Sequence, residues 1–419
     1  MKLSVTHYSG DRLGGAGRAA VRLHDALRGG TRITSDMIVA EKVSDDYTIT
    51  GLDGNLQGRI NALIKPVLDS IPRRLAGLPD AMPRSAAWAS RLTAKQINSQ
   101  TSRVTHLHWI NGAFLSVEEI GKITKPLVWT FHDMWPFCGA EHLSPDTADA
   151  RWRLGYPASQ GVRGFDLDRW VWKRKQSSFR NIIHVVTPSR WLAECVEQSK
   201  LMSSFPIHVI PNPLDTNVFK PVEKLAARRL LNLPLDRKLV LFGAIKGTQL
   251  PYKGWDLLLP ALARVAEICP GADAVIFGQK QPKDALSLQL PIHWMGHLYD
   301  DFTLAALYSA ADVLVIPSRQ ESFGQTGSEA QACGCPVVAF DATGLRDVVG
   351  HQQTGLLVKP FEPHAFSDAI VAVLENDEMR HEYGIAARDR AQRLWSYPVV
   401  AEQYSKLYES ITLPFPDRV

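Results

Sequence analysis

What most constrains this chain is an alternation. Short runs rich in Val, Ile, Leu and aromatic residues, bounded by turn residues, alternate with longer stretches at helical spacing. The short runs of the first half are Leu3–Tyr8, Met37–Ala40, Val104–Trp109, Leu127–Phe131, His184–Thr187 and His208–Ile210. Those of the second half are Leu239–Gly243, Ala274–Gly278, Ile292–Met295, Val313–Pro317, Pro336–Phe340 and Gly355–Val358. Helical stretches such as Ala16–Leu27, Trp255–Glu267, Asp301–Ser309, Glu329–Cys333 and Pro363–Leu374 lie between them. This rhythm predicts an α/β protein of parallel sheets with helices on both faces. A dozen strands overfill one doubly wound sheet, so two similar domains are expected. The break falls in the Pro- and Asn-punctuated stretch 211–221, before fresh α/β alternation starts at Leu239. That gives domains at 1–210 and 222–395, with the segment 396–419 returning to pack on the first.

Composition removes several classes of function. A net charge of +4 over 419 residues is too small to make nucleic acid the main partner. Five cysteines without a C-x-x-C pair give neither a zinc nor a disulfide framework and fit a reducing cytosol. The start MKLSVTHYSGD turns polar by Thr6, unlike a signal-peptide core, and no apolar run approaches a membrane span of roughly 18 residues. We therefore expect a soluble, cytoplasmic protein, with peripheral contact at the inner face of the membrane left open.

Two segments break the rhythm. Residues 56–100 hold seven basic and two acidic residues, and Ile60, Leu63, Ile64, Val67, Leu68 and Ile71 recur there at helical spacing. This is either an interfacial helix drawn to anionic membrane or a surface helix packed by its apolar face. We take the packed helix as the default. Residues 133–164 show no clear period, and a loop of that length is usually functional or disordered.

Two motifs carry chemistry. Gly14–Gly17 lies between a strand and a helix, where glycine lets backbone approach a ligand and the helix start favours anions. Its spacing is not G-x-G-x-x-G, so a dinucleotide site is poorly supported. The stronger motif is IPSRQESFGQTGSEAQACGCPVV, from Ile316 to Val338, in which Glu321 and Glu329 are eight residues apart. A loop carboxylate, a helix carboxylate and the free amides of that helix can serve a ligand with both hydroxyls and phosphates. Ligands of such folds bind at this edge of the sheet. His106-Leu-His108 has metal-ligand spacing but no third ligand nearby in sequence, so we expect a polar edge of the cleft. Asp166-Leu-Asp168 is too short a pattern to support a metal site.

The Glu321-x7-Glu329 stretch closely resembles the nucleotide-sugar motif of retaining family 4 glycosyltransferases, in the branch that builds bacterial surface polysaccharides. Other stretches agree with the family: Gly14–Gly17, VIPNPLDTNVFKP at 209–221, Tyr252-Lys253-Gly254, TGLLV at 354–358 and WTFHDMWP at 129–136. The resemblance implies the GT-B fold, two Rossmann-like domains facing across a cleft. It implies a nucleoside-diphosphate-sugar donor and a saccharide acceptor, lipid-linked or free, in exopolysaccharide, capsule or lipopolysaccharide synthesis. It further implies that Glu329 binds the ribose and Glu321 the transferred sugar. Phe323, Gly324 and Gln325 would offer backbone amides, Lys253 would neutralise the diphosphate, and His132 would face the reacting sugar. Gly15 and Gly344 would also lie on the donor. The family's usual Arg after the strand ending at Gly243 is missing, with Lys246 or Arg346 as its replacement. Trp109, Asn111, Asp133 and Trp135 are candidate acceptor contacts. Neither metal nor cofactor is expected. A GT-B epimerase or phosphorylase, or a non-catalytic nucleotide-sugar binder, remains the alternative.

Overall fold

The computed structural model describes residues 3–11, 14–77, 83–158, 164–243, 245, 247–282 and 290–412. The chain forms two compact units, Met1–Pro213 with Val400–Val419, and Leu214–Val399. The strands of the first unit are β1 (Ser4–Ser9), β2 (Thr34–Val39), β3 (Ile49–Gly51), β4 (Val104–Leu107), β5 (Leu127–Thr130), β6 (Ile183–Thr187) and β7 (Ile207–Val209). They form one parallel sheet in the order β3-β2-β1-β4-β5-β6-β7. Those of the second are β8 (Lys238–Gly243), β9 (Ala272–Phe277), β10 (Ile292–Gly296), β11 (Val313–Ile316), β12 (Val337–Phe340) and β13 (Gly355–Val358). Their order is β10-β9-β8-β11-β12-β13, again all parallel. Both are doubly wound sheets whose order reverses once, between β1 and β4 and between β8 and β11. Such reversals open a crevice at the carboxyl ends of the strands. The edge strand β3 has no run in the sequence reading, since Ile-Thr-Gly is too short to show a period.

The second unit shows why an unbroken apolar run becomes a central strand. Along β8, Leu239 and Leu241 pack with Tyr308 and Trp395 on one face, while Val240 and Phe242 pack with Leu258 and Leu262 on the other. Successive side chains alternate faces, so a strand covered on both sides must be apolar throughout. In the first unit the same position is partly polar. His7, His106 and His108 are fully buried, with Thr130 bonded to His106 beside them. The helix Tyr397–Thr412 lies over this layer: Tyr408 Oη meets His106 Nδ1 at 2.6 Å and Tyr404 Oη meets Thr130 Oγ1 at 3.0 Å.

Two expectations change here. The helix Leu56–Leu75 forms, capped by the Asn55 side chain, but its apolar face is not packed. Leu63 is 76% exposed and Val67 53%, and Leu56, Ile60, Ile64 and Leu68 are exposed as well. What holds the helix is polar: the buried Asp69 carboxylate accepts from the backbone N–H of Trp88 at 2.6 Å and of Ala89 at 3.0 Å. Segment 133–164, over its described residues, is not a free loop. The buried Lys175 ammonium donates to the carbonyls of Trp135, Cys138 (3.0 Å) and Gly139 (2.7 Å). Tyr156 Oη donates to Glu141 and accepts from Gly139 N–H, so side chains distant in sequence supply its order.

The imidazoles of the first unit have a thermodynamic consequence. Burial pushes His7, His106 and His108 well below the ordinary histidine value, and brings His24 and His132 down to about 4. At these rings the folded chain binds fewer protons than the unfolded one as pH falls through 6.5, so they lower stability with falling pH; Glu141, raised by burial to about 7, opposes them in part. Each ring contributes up to about 1.4 kcal/mol per pH unit. We expect the denaturant midpoint of this unit to drop by an amount worth several kcal/mol between pH 7.5 and 5.5. An unchanged midpoint in guanidinium titrations at the two pH values would refute the neutral assignment.

Candidate active site

In the second unit the groups singled out by the motif gather at the carboxyl ends of β8 and β11. Pro251–Lys253 forms a single 3₁₀ turn that ends in Gly254 at φ +71°, directly before the helix Trp255–Ile268. A Cβ at Gly254 would lie 1.9 Å from the Pro317 carbonyl oxygen, so only glycine lets this turn sit against the end of β11. Arg319 fastens the same contact. Its N–H donates to the Tyr252 carbonyl at 2.8 Å, and its guanidinium grips Asp256 through two bonds of 2.8 and 2.7 Å. The result is an ion pair: Lys253 Nζ lies 2.6 Å from Glu321 Oε1, which also accepts from Ser318 Oγ at 2.8 Å. Burial pulls the Lys253 pKa down, but the Glu321 carboxylate outweighs it and the net shift is upward.

Glu329 sits apart from this pair. It is buried within the helix Gln325–Ala332 and accepts from Tyr308 Oη at 2.8 Å. Gly324, at φ +97°, starts that helix without a side-chain cap, and Gln325 is its first residue. Phe323 turns its ring into the core against Trp395, 6.0 Å between centroids, so only its backbone is available to a ligand. Gly344 is buried under the motif loop, and its N–H donates to the Glu321 carbonyl at 2.9 Å. It supports the loop from below. Arg346 is exposed and bound to Asp341 Oδ1 at 2.7 Å. Lys246 lies outside the described residues.

In the first unit, Gly15 opens the helix Gly15–Gly30, and the Gly14 N–H donates to Asp11 Oδ1 at 3.0 Å. His132, Trp109, Asn111, Asp133 and Trp135 line one small recess together with His108. Asp133 accepts from the Trp135 N–H at 2.9 Å and pairs with His142 Nδ1 at 2.7 Å. Burial raises its pKa, but His142 and the Trp135 N–H outweigh that and hold the carboxyl below its usual value. Asn111 is buried with Oδ1 unpartnered among the described residues, and Trp109 is half-buried. Trp135 departs from its expected role. Its ring is 1% exposed with the Lys175 ammonium 3.5 Å above it, so no face is left to stack on a sugar.

His106 and His108 also depart from the reading as a polar edge, because parallel pairing sets His7 level with His106 and buries all three. One nitrogen from each lies within 4.8 Å of the others. Yet the rings stack at interplanar angles of 43°, 30° and 32°, and five of the six nitrogens have hydrogen-bond partners. We read a polar layer. Asp166 caps the helix Leu167–Ser178 and is gripped by Arg151, while Asp168 pairs with Arg84 at 3.4 Å. Sequence reasoning missed Tyr308, Ser318, Arg319, Asp256 and His142. Each acts through a contact made by the fold; Ser318 and Arg319 lie within the Ile316–Val338 motif, but the Arg319 partners Tyr252 and Asp256 do not.

Comparison with known proteins agrees with this architecture. Residues 13–218 match the Glycosyltransferase Family 4 profile, and residues 226–390 match that of Glycosyl transferases group 1. The D-inositol 3-phosphate glycosyltransferase of Corynebacterium glutamicum (strain R) is 33% identical over 218 residues, 48% of this chain and 51% of that protein. That of Thermobispora bispora is 32% identical over 338 residues, 75% of this chain and 72% of the relative. The chain spans about half the length of the first curated relatives it matches. The chain belongs to glycosyltransferase family 4. Among solved structures, sucrose-phosphate synthase from Thermosynechococcus elongatus superposes with TM-score 0.66 at 20% identity, covering 98% of this chain and 99% of that one. Anabaena Alr3699/HepE in complex with UDP and glucose gives 0.64 at 17% identity, covering 98% and 100%. The fold is accordingly GT-B, built from two Rossmann-like units.

The backbone contact at Gly254 is testable. Gly254→Ala forces a left-handed alanine against a carbonyl oxygen, and we expect a loss at the upper end of roughly 1–3 kcal/mol or beyond. At Gly324 the obstacle is the flexible end of Leu345, 2.8 Å away, so Gly324→Ala should cost less. Urea denaturation of both variants checks the order. Equal losses would mean that the turn yields more easily than the contact implies.

Proposed function

We propose that the protein is a retaining glycosyltransferase that moves a sugar from a nucleoside-diphosphate donor to a saccharide acceptor. The observation that carries this reading is the pairing of Lys253 with Glu321 beside a glycine-started helix holding buried Glu329. Glu329 would take the ribose hydroxyls. The amides of Phe323, Gly324 and Gln325 would take phosphate oxygens. Glu321 would hold the transferred sugar, and Lys253 would meet the charge that grows on the leaving diphosphate. Before a donor arrives, each member of the pair keeps the other in place. From the first unit, His132 would serve the reacting sugar, with Trp109, Asn111 and Asp133 for the acceptor and Trp135 backing them from the core. Arg346 or Lys246 would add positive charge. Relatives named D-inositol 3-phosphate glycosyltransferase and neighbours crystallised with UDP and UDP-glucose support a nucleotide-sugar donor. The acceptor we favour belongs to surface polysaccharide or lipopolysaccharide assembly; the neighbour WaaG is named as involved in lipopolysaccharide biosynthesis.

The reaction as proposed uses no metal, because Lys253 and the helix start supply the positive field and Asp166 and Asp168 are bound to arginines. Calorimetry with UDP separates the carboxylates. Glu329→Ala should lose about tenfold or more in affinity, while Glu321→Ala keeps or tightens binding and loses roughly 10²–10³ in turnover. The opposite pattern would reverse the two roles. Turnover of radiolabelled donor should survive excess chelator, and product formed only with added acceptor excludes an epimerase. Donor bound without turnover would favour the non-catalytic reading.

We also propose that the helix Leu56–Leu75 seats this cytoplasmic protein on anionic membrane, through its exposed apolar face and Arg59, Arg73 and Arg74. No helix among the described residues is long and apolar enough to cross a membrane. Liposome flotation should recover more protein with anionic than with neutral vesicles, and recovery should fall as salt rises. Equal recovery from both would remove the electrostatic part of this proposal.

A further inference from the structure

Three imidazoles form a continuous line under the carboxyl edge of the first sheet. His7 Nδ1 lies 3.0 Å from His108 Nε2, and His108 Nδ1 lies 3.2 Å from His132 Nε2. The rings stack at 5.3 and 5.5 Å between centroids. His106, at 4.9 Å from His7 and 4.2 Å from His108, spends both nitrogens on Tyr408 and Thr130 and takes no part.

A nitrogen-to-nitrogen hydrogen bond needs one proton between its partners. A neutral imidazole has one N–H and one lone pair, so a line of neutral rings must donate in one direction throughout. These rings are neutral near pH 7, because burial lowers all three. At His132 burial outweighs the opposing pull of Asp133 and Asp11, and in His7 and His108 neighbouring imidazoles act in the same sense as burial.

The far end decides the direction. His7 Nε2 is buried and has no hydrogen-bond partner among the described residues. If donation ran away from His132, that nitrogen would carry an orphaned N–H, the defect that is the rarer one among buried backbone groups. If donation runs toward His132, it carries only a bare lone pair. The second arrangement puts protons on His7 Nδ1 and His108 Nδ1 and makes His132 Nε2 an acceptor. The proton of His132 is then on Nδ1, which has no protein partner among the described residues.

We propose that His7 and His108 are positioning residues that lock His132 in its Nδ1–H tautomer, so that it meets the substrate as a neutral hydrogen-bond donor and not as a base. This role rests on the reading of His132 as the group serving the reacting sugar; the tautomer itself does not. A neutral N–H aimed at a sugar oxygen can strengthen as charge shifts without any proton transfer.

Long-range ¹H–¹⁵N correlation spectra of the full chain labelled at histidine read the tautomer directly, with His132→Gln identifying the signals. His132 should be protonated at Nδ1 and bare at Nε2 from pH 6 to 8. Protonation at Nε2 in the wild type overturns the proposal whatever the variants do. His108→Leu should release the lock, giving mixed or reversed tautomers and about a tenfold fall in kcat with little change in KM. His108→Gln, whose amide can still donate to Nε2, should restore the Nδ1–H form and part of the rate. A tautomer unaltered in a folded His108→Leu would refute the positioning role. An Nδ1–H signal together with full turnover in His132→Ala would leave the lock standing and remove His132 from the reaction.

Discussion

Parallel strands cannot be joined by tight hairpins, so every strand here is left and re-entered by a crossover. The two doubly wound orders reverse beside β1 and β8, and the crossovers diverge there. That is where Asp11, Gly14 and Asn111 stand in one unit and Gly254, Ser318 and Glu321 in the other. Strand pairing sets where each loop begins, and close backbone contacts set its final position. The Gly254 turn lies on the Pro317 carbonyl, and Gly344 lies under Glu321. Neither approach leaves room for a side chain. The Lys253–Glu321 pair inherits its geometry from the sheet, with Arg319 as a fastener.

The two units bury polar groups by different means. In the second, Lys253 and Glu321 are half-buried and answer each other at 2.6 Å, and Glu321 takes a further bond from Ser318. An ion pair of this kind can be shared with an incoming charged ligand. In the first, the rings are neutral, and each links a donor to an acceptor, so bonding extends from His7 to His132 with no net charge to desolvate. Tyr404 and Tyr408 close the layer from the helix Tyr397–Thr412. On the function proposed above, the ion pair of the second unit would meet a diphosphate. On the same proposal, the imidazole line of the first unit would orient a neutral sugar.

The sheets are legible in the sequence because a strand covered on both faces has to be apolar, and runs such as Val313–Pro317 and Leu127–Phe131 admit few other readings. The edge strand β3 is not legible, since three residues hold no period. The Glu321-to-Glu329 stretch is legible as a motif. That Glu321 is answered by Lys253, 68 positions away, is not, because no local spacing records a contact created by two crossovers. His106 and His108 mislead for the same reason: their third partner, His7, arrives through β1–β4 pairing. Trp135 misleads differently. An aromatic near a strand end reads alike whether it faces ligand or core, and only the Lys175 ammonium over its ring decides.

Along the helix Leu56–Leu75 the apolar pattern and the fold disagree. Apolar residues at helical spacing normally report a packed face. Here that face is open, and burial is confined to Asp69 and Pro72. Burial raises the Asp69 pKa despite the Trp88 and Ala89 amides that it accepts from, so the anchor sits in a desolvated setting. The helix is thus fixed in register by a polar clamp and owes little to its own hydrophobic side. Burying that side is worth roughly 25 cal/mol per Å². None of this is used within the unit, so it is available to a partner that covers the face. The basic residues beside it favour a partner with negative charge over one that is merely apolar. A clamp on one side and an unspent apolar face on the other separate folding from docking, so each can be altered without the other.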